Sequence, residues 1–182
     1  MQVYFIDNDD YFDKRGMEYD EAGNEYEDNG ERAIFYARGV LETVKKLRWR
    51  PDVIHCQGWI SAVAPLYIKT AFKDEPSFDG TKVVFEINDV KLKNNLPENF
   101  NSCLATRNVT KTFLKKENLK FENADDLLKL GIKFSDALIL GTNESNKEVV
   151  DYAESEGKPV LPFVENPDYA SYYGDFYEKL LS

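Results

Sequence analysis

The sequence predicts an α/β fold in which a parallel sheet carries helices on both of its faces. Three observations support this prediction. Short apolar runs alternate with segments of helical periodicity, as in consecutive strand-then-helix units. The apolar run at 52–56 ends in a glycine-containing turn that leads directly into a helix. No internal repeat or low-complexity stretch interrupts this order, so residues 1–182 are predicted to form a single domain.

The first part of the chain is predicted to contain a strand, an acidic loop and a helix. Residues 1–6 are largely apolar and predict a strand, whereas residues 7–31 carry eleven acidic side chains and predict a loop with room for a short hairpin. Asp28, followed three residues later by Glu31, predicts a capping box at the helix start. The helix carries an apolar stripe at steps of three and four residues and ends before a proline: Ile34, Ala37, Leu41, Val44, Leu47 and Pro51.

Two strands and one helix are predicted in the middle of the chain. The strand at 52–56 is followed by a helix at 60–72 and by a second apolar strand at 82–88. Residues 91–101 show no regular pattern, and residues 109–119 show weak helical periodicity. The segment 91–101 is therefore left without a predicted element.

The last part of the chain predicts a helix, a strand, a helix, a strand and a final helix. Their bounds are 125–134, 137–140, 144–156, 160–164 and a last helix from Pro167 onward. Gly131 and Gly157 are predicted to stop the first two helices, and Pro162 is predicted to break the second strand. The last helix carries an aromatic face that must pack on another surface: Tyr169, Tyr172, Tyr173, Phe176, Tyr177 and Leu180.

The charge of the chain excludes two classes of partner. With 23 basic and 33 acidic residues the net charge is -10, so nucleic acid and anionic membrane surfaces are repelled. No stretch reaches the roughly 20 apolar residues of a membrane span, and no secretory signal pattern precedes the first strand. We therefore expect a cytoplasmic protein. Cys56 and Cys103 provide no disulfide framework, and no His/Cys cluster predicts a metal site.

Several segments, in order along the chain, carry motifs. Residues 4–19 contain YFID and YFDKRG before Tyr19, residues 28–32 read DNGER, residues 51–65 read PDVIHCQGWISAVAP, and residues 84–89 read VFEIND. Together they resemble the amino-terminal half of bacterial glycogen synthases and plant starch synthases. The similar family motifs are Y-x-I-D with Y-D-R-P-G-x-x-Y, D-N-x-x-R-F, P-D-V-V-H-x-H-D-W and V-F-T-I-H-N. Residues 129–136, KLGIKFSD, resemble a further motif, K-x-G-I-x-x-A-D.

This resemblance implies half of a GT-B glycosyltransferase fold, with a Rossmann-like sheet. Such enzymes transfer glucose from ADP-glucose or UDP-glucose to an α-1,4-glucan. The family's first strands, its K-T-G-G-L phosphate loop and its donor domain have no counterpart in the sequence. The family acid of H-D-W is replaced by Gly58, and the histidine of I-H-N by Asn88. Because glycine transfers no proton and asparagine offers only hydrogen bonds, no certain catalytic residue remains.

The resemblance also implies a glucan or substrate site around these positions. Its members are Tyr19, His55, Gln57, Trp59 and Asn88. Alternatives stay open for two of them. His55, the only histidine, has apolar neighbours and is also expected as a hydrogen-bonded structural residue, while Trp59 is also expected as a core residue.

Three functional hypotheses follow. The favoured one is a catalytically incomplete homologue that binds α-glucan or a partner protein. The second is the acceptor-side part of a glucosyltransferase, completed by missing or partner segments, with a sugar nucleotide as substrate and no cofactor or metal. The third is a protein-interaction domain whose aromatic last helix docks on another chain. Whether the chain is itself an enzyme is left open.

The missing first strands have a physical consequence. Their absence would expose a sheet edge, which predicts a homodimer or a partner chain that covers it. The alternative is that the gene encodes further residues before Met1.

Overall fold

The computed structural model describes residues 2–182 and contains a four-stranded sheet. The strands are β1 Val53–Gln57, β2 Lys82–Ile87, β3 Ala137–Leu140 and β4 Val160–Leu161. All neighbouring pairs are parallel, and the strands stand in chain order. Cys56 pairs with Phe85, and Phe85 pairs with Leu138, so the carboxyl ends of the first three strands meet at one edge. The predicted α/β fold with a parallel sheet is confirmed.

Helices flank the sheet on both faces. Their bounds are α1 Asn29–Lys46, α2 Gly58–Ser61, α3 Ala64–Lys69, α4 Phe100–Cys103, α5 Lys111–Lys116, α6 Ala124–Phe134, α7 Lys147–Ser155 and α8 Tyr169–Leu181, with a 3-10 turn at Pro76–Phe78. None of the helices in residues 2–182 is both long and apolar enough to cross a membrane. The organisation of residues 1–182 as a single domain stays a prediction.

The two faces of the sheet are covered unequally. Alternate residues of β2, Val83, Phe85 and Ile87, are fully buried in the main core together with α1, α2, α3, α6 and α7. The opposite face is covered by α8. There Val84 and Ala137 pack beneath half-buried side chains of that helix, namely Tyr173, Phe176, Tyr177 and Leu180. Every residue of α8 keeps some solvent exposure, so this helix is the more weakly packed cover.

The strand predicted at residues 1–6 does not form in the described residues, and Met1 lies outside them. Residues 2–7 are in no strand or helix, with Val3 and Phe5 61% and 89% exposed. An apolar run becomes a strand only where a neighbouring strand completes its backbone hydrogen bonds, and none pairs with this segment. The following loop holds a minimal hairpin, with one antiparallel bridge from Tyr19 to Glu25 and backbone hydrogen bonds from Asp20 to Asn24 and from Tyr26 to Glu18.

The capping box predicted at Asp28 is also wrong. The Asp28 carboxylate makes no cap bond and instead accepts two hydrogen bonds from Arg15, at 2.8 and 2.6 Å. A charged bidentate partner is the stronger competitor for a carboxylate. A capping box does form at the start of α6, between Asn123 and Asp126.

Other boundaries differ for local reasons. The helix predicted at 60–72 is divided into α2 and α3, with Pro65 in the first turn of α3. The helix predicted at 144–156 begins later, at Lys147, behind the Asn146 cap. The strand predicted at 160–164 ends at Leu161, before Pro162.

Gly131 does not stop α6, which continues to Phe134. Its role is to admit the Phe85 ring, because a Cβ at position 131 would lie 2.8 to 2.9 Å from three ring atoms. Phe85 is fully buried and has no room to withdraw.

We predict that Gly131→Ala and Gly174→Ala shift stability in opposite directions. Overpacking typically costs about 1–3 kcal/mol, which outweighs the gain of about 1 kcal/mol in helix propensity at position 131. Gly174 lies in α8, where an added Cβ meets nothing within 4 Å, so only the favourable propensity remains. The midpoint of urea unfolding, monitored by circular dichroism, measures the stability of each variant. Equal midpoints for the two variants would contradict the packing argument.

Candidate functional site

The carboxyl ends of β1, β2 and β3 converge around Asn88. Gly58 follows β1 with a φ of +67°, and a Cβ on it would lie 3.8 Å from Asn88 Nδ2. Gly141 follows β3, and a Cβ there would collide with Asn88 Oδ1 and Glu86 Oε1. Parallel pairing thus brings the two family positions, Gly58 and Asn88, side by side, and the missing side chain of Gly141 leaves them room.

A buried carboxylate, Glu86, lies below this edge on the face that α8 covers. Its side chain is 6% exposed and accepts three hydrogen bonds. Gln57 donates to Oε1 at 2.8 Å, while His55 Nε2 and the Tyr173 hydroxyl lie 3.1 and 3.2 Å from Oε2. The Tyr177 hydroxyl lies 2.8 Å from His55 Nδ1 and extends the network. Two residues of β1 and two of α8 are therefore tied to one residue of β2.

The network sets the ionisation of its members. Burial raises the pKa of Glu86, but the hydrogen bonds from His55, Gln57 and Tyr173 outweigh it and leave the pKa below its ordinary value. Burial and the neighbouring Glu86 carboxylate raise the pKa of Tyr173 to about 12. The site therefore holds a carboxylate beside a protonated phenol at neutral pH.

A cavity of about 460 Å³ opens between the strand ends and α8. It is lined by His55, Gln57, Glu86, Gly141, Phe163, Val164, Tyr169 and Tyr173. One side is rich in hydrogen-bond acceptors and the other is aromatic or apolar. A concave surface that combines apolar groups with convergent polar groups is a feature of small-molecule sites.

The predicted site residues are divided between two regions. His55 and Gln57 belong to the Glu86 network, and Asn88 lies beside it. Trp59 is 4% exposed, and its Nε1 donates to Glu18 Oε1 at 3.0 Å, which favours the alternative of a core residue. The Tyr19 hydroxyl donates to the Lys91 carbonyl, in the segment after β2. Substrate roles for all five residues stay predictions.

Sequence reasoning missed Glu86 and the two tyrosines of α8 that complete the network. The available signal was a single acidic residue within the apolar strand at 82–88. In the structure this residue, Glu86, is the neighbour of Gln57 on the adjacent strand. No signal in the sequence indicated that Tyr173 and Tyr177 reach the same place, because this depends on where α8 lies.

Metal binding finds no support among residues 2–182, where no group of three or more His, Cys, Asp or Glu side chains is placed to hold an ion. The expectation of a metal-free protein stays a prediction.

The raised pKa of Tyr173 predicts a loss of stability at alkaline pH. The unfolded chain releases this proton near the ordinary pKa of 10.0, whereas the folded protein retains it to about 12. A group with a raised folded-state pKa contributes stability that is complete below the unfolded pKa and is lost as the pH rises toward the folded pKa. We expect Tyr173→Phe to show a smaller fall in melting temperature than the unmodified protein between about pH 10 and pH 12.

The matched control for this measurement is Tyr172→Phe, a change of the same kind at an exposed position of the same helix. The melting temperature of this control should fall with pH as that of the unmodified protein does. If the melting temperatures of all three proteins fell equally with pH, the pKa of Tyr173 would not be raised by burial beside Glu86.

Comparisons with known proteins identify the family of the chain. Residues 1–161 match the family described as the starch synthase catalytic domain. Glycogen synthase of Desulforudis audaxviator is 31% identical over 147 residues, covering 81% of this chain and 28% of the relative. Glycogen synthase of Chlorobium luteolum is 38% identical over 98 residues, covering 53% of this chain and 20% of the relative. The chain thus spans less than a third of the length of these relatives.

A solved structure shows the same fold. The catalytic domain of starch synthase IV from Arabidopsis thaliana, bound to ADP and acarbose, superposes with a TM-score of 0.57 at 18% identity, covering 78% of this chain and 30% of that one. The family match ends at β4, so α8 lies outside it. The sequence match over most of the chain and the shared fold together establish that the chain belongs to the starch synthase catalytic domain family.

Proposed function

We propose that this glycogen and starch synthase-like glycosyltransferase domain binds α-glucan and is catalytically incomplete as this chain. The supporting observation is that Gly58 and Asn88 lie side by side at the strand ends. These positions correspond to an acid and a histidine in the family motifs, yet together they offer only hydrogen bonds. Neither residue of this pair carries a side chain that transfers protons at neutral pH.

The proposal extends to ligands and location. Because the starch synthase IV structure holds ADP and acarbose, a sugar nucleotide and an α-glucan are the ligands to test. A sugar nucleotide would be a substrate, and the proposal needs no cofactor or metal. Tyr19, His55, Gln57 and Asn88 serve as glucan contacts, and Trp59 supports the turn from below. A cytoplasmic location, where such substrates occur, is part of the proposal.

We predict that the chain co-sediments with glycogen and that Tyr19→Ala weakens this binding by about tenfold or more. The reason is that the variant loses the aromatic ring proposed to contact glucan and the hydrogen bond by which Tyr19 holds the segment at Lys91. The matched control is Tyr4→Ala, since Tyr4 is an exposed tyrosine that packs edge-on against Trp49, before the amino end of β1. Tyr4→Ala should bind as the unmodified chain does, and no binding by any form would refute the proposal.

A second candidate function is favoured by the open edge of β1. Within the described chain β1 pairs only with β2, which leaves unpaired backbone groups along its other edge. Its five residues include no lysine, arginine, aspartate or glutamate that would discourage pairing. This edge supports the hypothesis of an acceptor-side part completed by a partner segment or by a second copy. The third hypothesis loses support, because much of the aromatic face of α8 packs on the chain's own sheet.

For the second candidate we predict association. Sedimentation velocity across a range of protein concentrations should show a species heavier than the 21.0 kDa monomer, increasing with concentration. The physical reason is that unpaired strand edges gain hydrogen bonds and bury apolar surface when they pair. A single monomeric species at the highest concentration would argue against it.

A further inference from the structure

The negative charge of the chain is concentrated at one end of α1. Residues 7–31, which are the acidic loop and the first turn of α1, hold eleven acidic and two basic side chains. This acidic end therefore carries nine of the ten net negative charges, and the rest of the chain is close to neutral as a whole. Several of its carboxylates are exposed: Asp7, Asp9, Asp10 and Asp13.

The opposite end of α1 is basic. Residues 45–50 contain Lys45, Lys46, Arg48 and Arg50 and no acidic residue. Lys45 pairs with Glu75 at 3.3 Å, whereas the other three side chains of this basic end are exposed. The 18 residues of α1 span about 27 Å at about 1.5 Å per residue. This length is roughly three times the Debye length of about 8 Å at physiological salt, so the two ends act as separate patches.

An exposed apolar segment, residues 2–6, runs along α1 between these two ends. Ile6 lies against Gly39 within the helix, and Tyr4 packs edge-on against Trp49 just beyond it. Among residues 2–182, half of the exposed large apolar side chains lie here: Val3, Tyr4, Phe5, Leu47 and Trp49. An exposed apolar patch with a polar rim is typical of a surface that binds another protein.

This face of α1 is complementary to itself. It presents a basic end, an apolar middle and an acidic end in one line. When two copies face each other with α1 antiparallel, the basic end of each copy meets the acidic end of the other, and the apolar segments meet near the two-fold axis. The two acidic ends stay about one helix length apart, where their repulsion is largely screened.

We propose that this face of α1 is the interface of a symmetric homodimer in which the two α1 helices are antiparallel. The dimer contains two equivalent contacts between a basic end and an acidic end, and it buries the side chains of Val3 and Phe5. This inference goes beyond the proposed glucan binding and does not depend on it. It also uses a different surface from the open edge of β1.

Sedimentation velocity in low and high salt tests the interface. The dimer should dissociate as NaCl rises from about 0.05 M to about 1 M, because the Debye length falls to about 3 Å. Lys46→Glu should raise the dissociation constant of the dimer about tenfold or more, since it reverses a charge at the basic end. Lys179→Glu is the matched control, an exposed lysine in the last turn of α8, on the other face of the sheet. Its dissociation constant should stay unchanged.

Mixing two variants tests the antiparallel arrangement. Asp9→Lys should also weaken the homodimer, because it places a positive charge in the acidic end. An equimolar mixture of Lys46→Glu and Asp9→Lys should form a heterodimer, because one of its contacts is the original pair of ends and the other joins the two reversed charges. Circular dichroism and the midpoint of urea unfolding check that each variant is folded before mixing.

Three results would overturn the inference. The first is an unmodified chain that stays monomeric in low salt, and the second is an equal dissociation constant for Lys46→Glu and Lys179→Glu, which assigns any association to another surface such as the edge of β1. The third is a mixture of Lys46→Glu and Asp9→Lys that remains monomeric. All three leave the proposed glucan binding standing, because co-sedimentation with glycogen measures it separately.

Discussion

The buried carboxylate of Glu86 is the constraint on which the arrangement of the site depends. A buried charge is stable only when hydrogen bonds replace its water, and here the donors come from two separate elements, β1 and α8. Loss of either element would leave the carboxylate short of partners. The same bonds therefore fix the position of α8, hold His55 and Gln57 in place and form the floor of the cavity.

A second buried charge organises the acidic loop before α1. The Arg32 guanidinium donates to the carbonyls of Gly16 and Met17 and to the side chain of Asn29, and it lies near the Tyr26 ring. Burial lowers the pKa of Arg32, and its Nε has no hydrogen-bond partner. The hydrogen bonds of the guanidinium therefore do not fully replace the water that it loses on burial. The hydrogen bonds of Arg32 hold the loop in place. In this position Glu18 accepts a hydrogen bond from Trp59, and Tyr19 donates one to the Lys91 carbonyl.

The sequence was most informative where structure follows from local pattern. Strands β1, β2 and β3 and helix α1 were predictable because their apolar residues face a core on the same chain. Residues 2–6 have the same apolar character but lack a neighbouring strand, and pattern alone does not reveal that. For the site, parallel pairing explains why His55, Gln57 and Asn88 come together. The contributions of Tyr173 and Tyr177 depend on the packing of α8, which no spacing in the sequence encodes.

The chain order of the strands has a consequence for how the protein folds. Each strand pairs with the one made before it, so every new strand meets an edge that is already present. Sheet and main core are thus able to assemble from β1 to β4 before α8 arrives. Until then Glu86 faces water and needs no partners. We expect the docking of α8 to be a late step, in which a solvated carboxylate becomes the buried centre of the site.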